Sequence, residues 1–153
     1  MYKSKENVMG DVFPVIVNCS KSLDEMIKAG NYDWVNWDIS EKHFPVQGQG
    51  QTELNIELIH YGKHMESDDV VRDLEGYGLR PATLSELLAF GAAYPNKQRE
   101  FPIVALGSVW RSWSGSGLRC VLCLRGGGSG RELGLYVWGS GWRGGCRFAA
   151  VRK

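Results

Sequence analysis

Apolar and polar residues alternate most cleanly over residues 52–60. Leu54, Ile56, Leu58 and His60 fall on one side and Glu53, Asn55, Glu57 and Ile59 on the other, the period-two signature of a half-buried strand. Residues 12–18 form a shorter β-rich run, and Pro14, with no N–H for a ladder, assigns it to a sheet edge or a strand start. Residues 101–106 are continuously apolar and read as another strand. Helical signals stand between these runs. Ser22 with Glu25 three residues on is a capping box, opening a helix through Met26 and Ile27 that stops at Gly30, a C′ glycine. Residues 67–76 read as a second helix with Ser67 as its cap, and Thr83 with Glu86 opens a third that ends near Tyr94-Pro95. After Gly107 the pattern becomes short strands (119–124, 132–138, 147–151) separated by glycine loops. Strands and helices first, then β and loops, predict an α+β class.

The alternation also assigns sides within the last third. Leu133, Leu135 and Val137 share one face of 132–138, and Gly134, Tyr136 and Trp138 the other. The expectation is that Leu133, Leu135, Trp142 and Phe148 point inward, while Gly134, Tyr136, Gly139, Ser140, Arg143 and Gly145 are exposed and tolerant.

Composition divides the chain at the same place. Residues 108–153 carry eight Lys/Arg and one acid, Glu132, for a net +7. Residues 1–107 carry ten Lys/Arg and sixteen Asp/Glu, for −6, so the whole is nearly neutral at +1. The tail also holds four of the six Trp and eleven of the twenty Gly. Trp, Tyr, Arg, Ser and Gly on irregular backbone are the usual material of a binding surface. The length predicts one domain over 1–153, a scaffold (1–107) presenting a basic aromatic region (108–153). No apolar run approaches the roughly 20 residues that span a bilayer, and 1–7 show no apolar h-region. The expected location is therefore the cytoplasm or a virion, without a membrane span.

Candidate chemistry is sparse. Cys120-Val-Leu-Cys123 has CxxC form, but on a strand residues three apart point to opposite faces, and no second ligand pair follows at zinc spacing. His60 and His64 lack a third ligand, and His43 has no partner apparent in the sequence. Gly126-Gly-Gly-Ser-Gly-Arg131 lacks the Lys-Ser/Thr and following helix of a phosphate loop, so a mobile connection between strands is expected. Arg with Trp could serve a nucleic acid, yet the pI is about 7.7 and Lys is confined to the last residue of the tail. Some of these Arg are expected instead to bond loop carbonyls. The tail has no His and only Glu132 as a carboxylate, so it has almost no general acid–base equipment. Metal and cofactor are both expected to be absent.

Two segments carry a resemblance. Gly78-Leu-Arg-Pro-Ala-Thr-Leu-Ser-Glu-Leu-Leu-Ala-Phe90 resembles the Arg-Leu-Pro-Thr-x-x-Glu-Trp helix start of the formylglycine-generating-enzyme branch of the C-type lectin fold. Arg147-Phe-Ala-Ala-Val-Arg152 resembles the Gly-Phe-Arg strand that closes it. The ordered set Tyr32-Asp-Trp-Val-Asn36, Arg80-Pro-Ala-Thr83, Pro102-Ile-Val-Ala-Leu-Gly-Ser108 and Ser129-Gly-Arg-Glu-Leu133 is more similar still to variable proteins of diversity-generating retroelements. The likeness covers about residues 31–153. It implies a C-type lectin-like domain whose C-terminal region is rewritten by adenine-directed mutagenesis to recognise varied ligands. An AAC codon with its adenines replaced yields Gly, Ser, Arg, Leu, Cys, Val or Tyr, but not Lys, Glu, Gln, Met or Trp. The tail is rich in Gly, Ser, Arg and Cys and has no Asp, Asn, Gln or Met. The candidate ligand-binding positions are Ser116, Leu118, Cys120, Arg125, Gly126, Gly134, Tyr136, Trp138, Gly139, Ser140, Arg143 and Gly145. Trp138 does not follow from an Asn codon and is expected to vary less. The partner implied is a protein with an acidic surface. The alternatives are a formylglycine-generating-type enzyme, whose catalytic cysteine motif is not matched, and a nucleic-acid-binding module. The single acid in the tail argues against a calcium site.

Overall fold

The computed structural model describes residues 9–112, 117–128 and 130–153. The N-terminal residues 1–8, Ser116 and Ser129 therefore lie outside the described residues. The protein is α+β. Its strands are β1 (Met9–Asn18), β2 (Trp34–Val35), β3 (Gln51–His60), β4 (Leu79–Pro81), β5 (Ile103–Arg111), β6 (Arg119–Gly127), β7 (Gly130–Val137) and β8 (Arg147–Arg152). They form one sheet in the order β1-β3-β8-β5-β6-β7-β2, with β4 also paired to β8. The helices are α1 (Leu23–Ala29), α2 (Ser67–Gly76), α3 (Leu84–Ala93) and the single turn α4 (Lys97–Glu100), with a 3₁₀ turn at Trp138–Ser140. No helix among the described residues is long and apolar enough to cross a membrane.

The local signals explain most of these elements. Ser22 Oγ accepts from the Glu25 amide while the Glu25 carboxylate accepts from the Ser22 amide, and Thr83 with Glu86 repeats the arrangement. Pro14 lies in the edge strand β1, where a missing donor costs no ladder bond, and its carbonyl accepts from Tyr94 Oη at 2.7 Å. Two expectations need correction. Gly30 is not left-handed: its φ is −82°, and Asn31 takes the positive φ instead. What requires glycine there is proximity, because a Cβ would sit 2.4 Å from the Tyr32 ring. Ser67 begins α2 but does not cap it. Glu66 holds the cap position without a side-chain bond, and the Ser67 hydroxyl is turned elsewhere.

The sheet is covered on both faces, giving two cores. The first packs α1 and α3 (Leu23, Met26, Leu84, Leu87, Leu88, Phe90) on Val15, Val17, Ile56, Leu58, Ile103, Leu122, Leu124 and Leu133. The second packs α2 (Val70, Leu74) and the loop after β7 (Trp138, Trp142, Cys146) on Ile59, Val104, Val121, Cys123 and Phe148. β3 is thus half-buried only in its first half. From Ile56 to Ile59 it is buried on both faces, because β1 and β8 flank it and both layers cover it. Burying apolar surface on both sides supplies the main stabilisation of such a layered domain.

The four quoted sequence motifs meet in pairs. Gly107 fits against Ala82, where a Cβ would stand 2.5 Å from the Ala82 carbonyl oxygen, and its amide donates to that oxygen at 2.8 Å. Ser108 Oγ accepts from the Leu84 amide at 2.9 Å, satisfying a donor at the start of α3. Arg80 clamps Glu86 with two bonds of 2.8 and 2.6 Å. Burial alone would raise the Glu86 carboxyl, but bonds from Arg80 and the Thr83 amide more than offset it and hold it below the usual carboxylate range. In the other pair Asp33 Oδ2 accepts from the Arg131 amide at 2.7 Å, and β2 runs parallel beside β7.

Candidate functional site

The basic tail builds a hairpin and a loop on the second face of the sheet. Alternation in β6 places Val121 and Cys123 in the second core and Leu122 and Leu124 in the first. Arg119 and Arg125 share the second face, over the rings of Trp138 (4.7 Å) and Tyr136 (5.4 Å). In β7, Gly134 lies opposite Cys123 and Tyr136 opposite Val121. Gly134 has a local use. The Tyr136 ring leans across it, so that a Cβ there would be 3.0 Å from Tyr136 Cε2. This brings the phenol to Arg125, whose Nη1 donates to Tyr136 Oη at 3.1 Å. That bond, the main cause, raises the guanidinium above its ordinary value.

The loop from Trp138 to Cys146 is anchored by its tryptophans. Trp142 pairs with Met65 through both backbone bonds, 2.9 and 3.0 Å. Its indole Nε1 donates to Ser67 Oγ at 2.8 Å, and that hydroxyl donates in turn to the Trp138 carbonyl at 2.7 Å. Trp138 Nε1 donates to Asp68 Oδ1 at 3.2 Å. His60 Nε2 donates to the Gly144 carbonyl at 3.0 Å, and a Cβ on Gly144 would be 2.8 Å from the Lys63 nitrogen. The segment 60–68 is therefore the seat of the loop, and Gly139, Ser140, Arg143 and Gly145 are left exposed.

Between this loop and the hairpin lies a hollow of about 370 Å³. Cys123, Cys146, Tyr136 and Trp142 line it with Pro102, and Arg125, Arg143, Ser140, Gly141 and Gly145 complete it. Burial pushes the Cys146 thiol up, against the opposing field of Arg125, Arg147 and Arg143. Burial also pushes Cys123 far up, aided by Cys146. Both thiols are protonated at neutral pH and are poor nucleophiles. A larger hollow, about 820 Å³, lies at the other edge between β1 and α3, and none of the sequence-predicted positions lines it.

Of the predicted positions, the structure brings together Arg125, Tyr136, Ser140, Arg143 and Gly145 around the smaller hollow. Gly139 is exposed on the same loop. Several others are corrected. Trp138 is 8% exposed and belongs to the second core, because its ring is the loop's anchor. Gly134 is buried and Tyr136 half-buried, since the loop after β7 folds back over that face. Gly126 is exposed but not tolerant: a Cβ would be 2.9 Å from the Gln98 carbonyl oxygen of α4. The strands on either side, β6 and β7, stay paired as far as Gly127 opposite Gly130. Cys120 pairs across the strands with Trp110, on the face opposite the hollow, and Leu118 is exposed near the end of that hairpin. Ser116 lies outside the described residues.

Sequence reasoning missed three groups. His43 does have a partner, its ring stacked on Trp110 at 3.9 Å and 12°. Trp37 is 90% exposed, and its polar neighbours Asn36 and Asp38 were the available signal. Ser67, 1% exposed, joins helix to loop and left no signal beyond its cap-like position. The expectation that tail arginines bond carbonyls holds. Arg131, 5% exposed, donates to the carbonyls of Gly30, Asn31 and Gly91 and to Gln98 Oε1, with its guanidinium 4.8 Å from the Tyr32 ring. All four cysteines are free, and no cluster of three or more metal-ligating side chains occurs among the described residues.

No protein-family model matches the chain, and no curated protein or solved structure matches it either.

Proposed function

We propose that this is a ligand-binding protein of C-type lectin-like type, whose region 108–153 is diversified by a retroelement to recognise protein ligands with acidic surfaces. One observation carries the reading. Gly139, Ser140, Arg143 and Gly145, all reachable from an adenine-rich codon, are exposed on a loop anchored by Trp138 and Trp142, which an Asn codon cannot give. A surface can vary only where its support does not, and here the two Trp anchors face the core while these four residues face solvent. The pairwise meeting of the quoted motifs adds support, because Arg80–Glu86, Gly107 and Arg131 hold the scaffold and leave recognition to the loop. The raised thiols and the lack of any His, Lys or carboxylate among the residues lining the hollow favour binding over turnover.

The test is exchange of residues 112–146 for another sequence of the same pattern. Specificity should move with the segment while the circular dichroism spectrum and melting point of the scaffold stay close to the parent's. A near-copy of the corresponding codons beside a reverse-transcriptase gene, differing only at adenines, is the independent check. Turnover of a substrate that vanishes with Cys120→Ala or Cys123→Ala would overturn the reading in favour of a formylglycine-generating-type enzyme.

A further inference from the structure

We infer that the 370 Å³ hollow between the β6–β7 hairpin and the loop after β7 is a receptor for one carboxylate on a short apolar stem, an Asp or Glu side chain presented by a protein partner. This rests on the reading of that surface as ligand-binding, and adds what one part of it takes. Two cations line the hollow, and no carboxylate does. Arg125 is held in place by Tyr136, its Nη1 bonded to the phenol and its guanidinium carbon 5.4 Å from the ring centroid. That uses one of five guanidinium donors and leaves an oriented fork. Arg143 is exposed, and among the described residues neither arginine makes an ion pair. Arg147, close by, is occupied otherwise, donating to the Gly145 carbonyl and lying 4.2 Å from the Phe101 ring. Its field still adds to theirs at Cys146.

The interior of the hollow has a different chemistry from its rim. Trp142 spends its indole N–H on Ser67 and presents ring carbons, while Cys123 and Cys146 contribute neutral thiols, which are weak donors and acceptors. An ion with no apolar body would leave that floor unfilled. A short methylene stem would cover it and deliver its carboxylate to the guanidiniums, where paired N–H···O bonds are strongest. The volume is at the lower end of small-molecule sites and accommodates one side chain. An aromatic-lined hollow that receives one partner side chain is a form binding hot spots commonly take.

The experiment uses the full chain and two neutral-backbone probes, N-acetylglutamate methylamide and N-acetylglutamine methylamide, with inorganic phosphate as a third. Binding is followed by NMR shifts of the tryptophan indole N–H signals, that of Trp142 identified by Trp142→Phe. The glutamate probe should shift the Trp142 signal with an affinity on the order of millimolar to tens of millimolar, at least several-fold more tightly than the glutamine probe. Arg143→Met should weaken it about tenfold, and Arg143 is exposed, so that variant folds. Arg125→Met should do the same, and an unchanged circular dichroism spectrum guards against unfolding. Equal response to the two probes, or none at all, overturns the carboxylate assignment, while the segment exchange still judges the wider reading separately. A response that survives both arginine variants overturns the placement. Phosphate binding more tightly than the glutamate probe overturns the apolar stem.

Discussion

The indole N–H of Trp142 is bonded to the hydroxyl of Ser67, 75 residues earlier in the chain, at 2.8 Å. That hydroxyl donates in turn to the Trp138 carbonyl, so one buried oxygen joins the first turn of α2 to both Trp138 and Trp142. The loop that carries the candidate site is held by this oxygen.

Ser67→Ala should therefore destabilise the protein by about 1–3 kcal/mol, because it leaves a buried indole N–H and a buried carbonyl without their partner. Denaturant unfolding measures the loss, and Ser67→Thr, which keeps the hydroxyl, should recover part of it. An effect below about 0.5 kcal/mol would mean that the bond contributes little.

Two arginines of the same tail should behave oppositely. Arg131→Met strips bonds from the carbonyls of Gly91 and Gly30 and from Gln98, and should cost roughly 3 kcal/mol or more. Arg143→Ser removes an exposed side chain and should change stability by less than about 0.5 kcal/mol. Paired unfolding curves decide the matter, and similar costs would refute the inside–outside division of the tail.

The glycines separate in the same way. Gly126→Ala drives a Cβ against the backbone of α4 and should cost about 1–3 kcal/mol. Gly145→Ala meets nothing within 4 Å and should be nearly neutral. Tyr136→Ser lies between these cases, at about 1–2 kcal/mol, since its half-buried ring packs edge-on to Trp142 at 6.2 Å. Thermal unfolding of the three variants should reproduce that order.

Stability should fall in alkali. Burial raises Tyr32 from 10.0 to about 12, against the opposing charge of Arg131, and burial raises Cys123 above the ordinary thiol value of 9.0. Both groups hold their protons more tightly folded than unfolded. Their contribution is therefore fully present below about pH 9 and is lost progressively as pH rises through 9 for the thiol and from 10 toward 12 for the phenol. Urea midpoints from pH 8 to 11 should decline, and the decline should be shallower in Cys123→Ala. In spectroscopic titration one of the six tyrosines should ionise last, and Tyr32→Phe should remove that step.

Local chemistry is what the sequence by itself determined. The capping boxes at Ser22 and Thr83, the edge placement of Pro14, the sides taken by Leu133 and Tyr136, and the transfer of positive charge to the tail all follow from neighbours a few residues apart. Alternation could say that Trp138 and Leu133 lie on opposite faces of 132–138, but not that both faces are covered. That depends on α2, α3 and the loop after β7, which come from distant parts of the chain. The same distance hid the roles of Ser67 and of the His43–Trp110 stack, and made Gly126 look permissive until α4 was laid against it. Exposure belongs to packed layers rather than to a strand, so the tertiary structure alone decided which of the tail's Trp, Tyr and Arg hold the fold and which are left exposed.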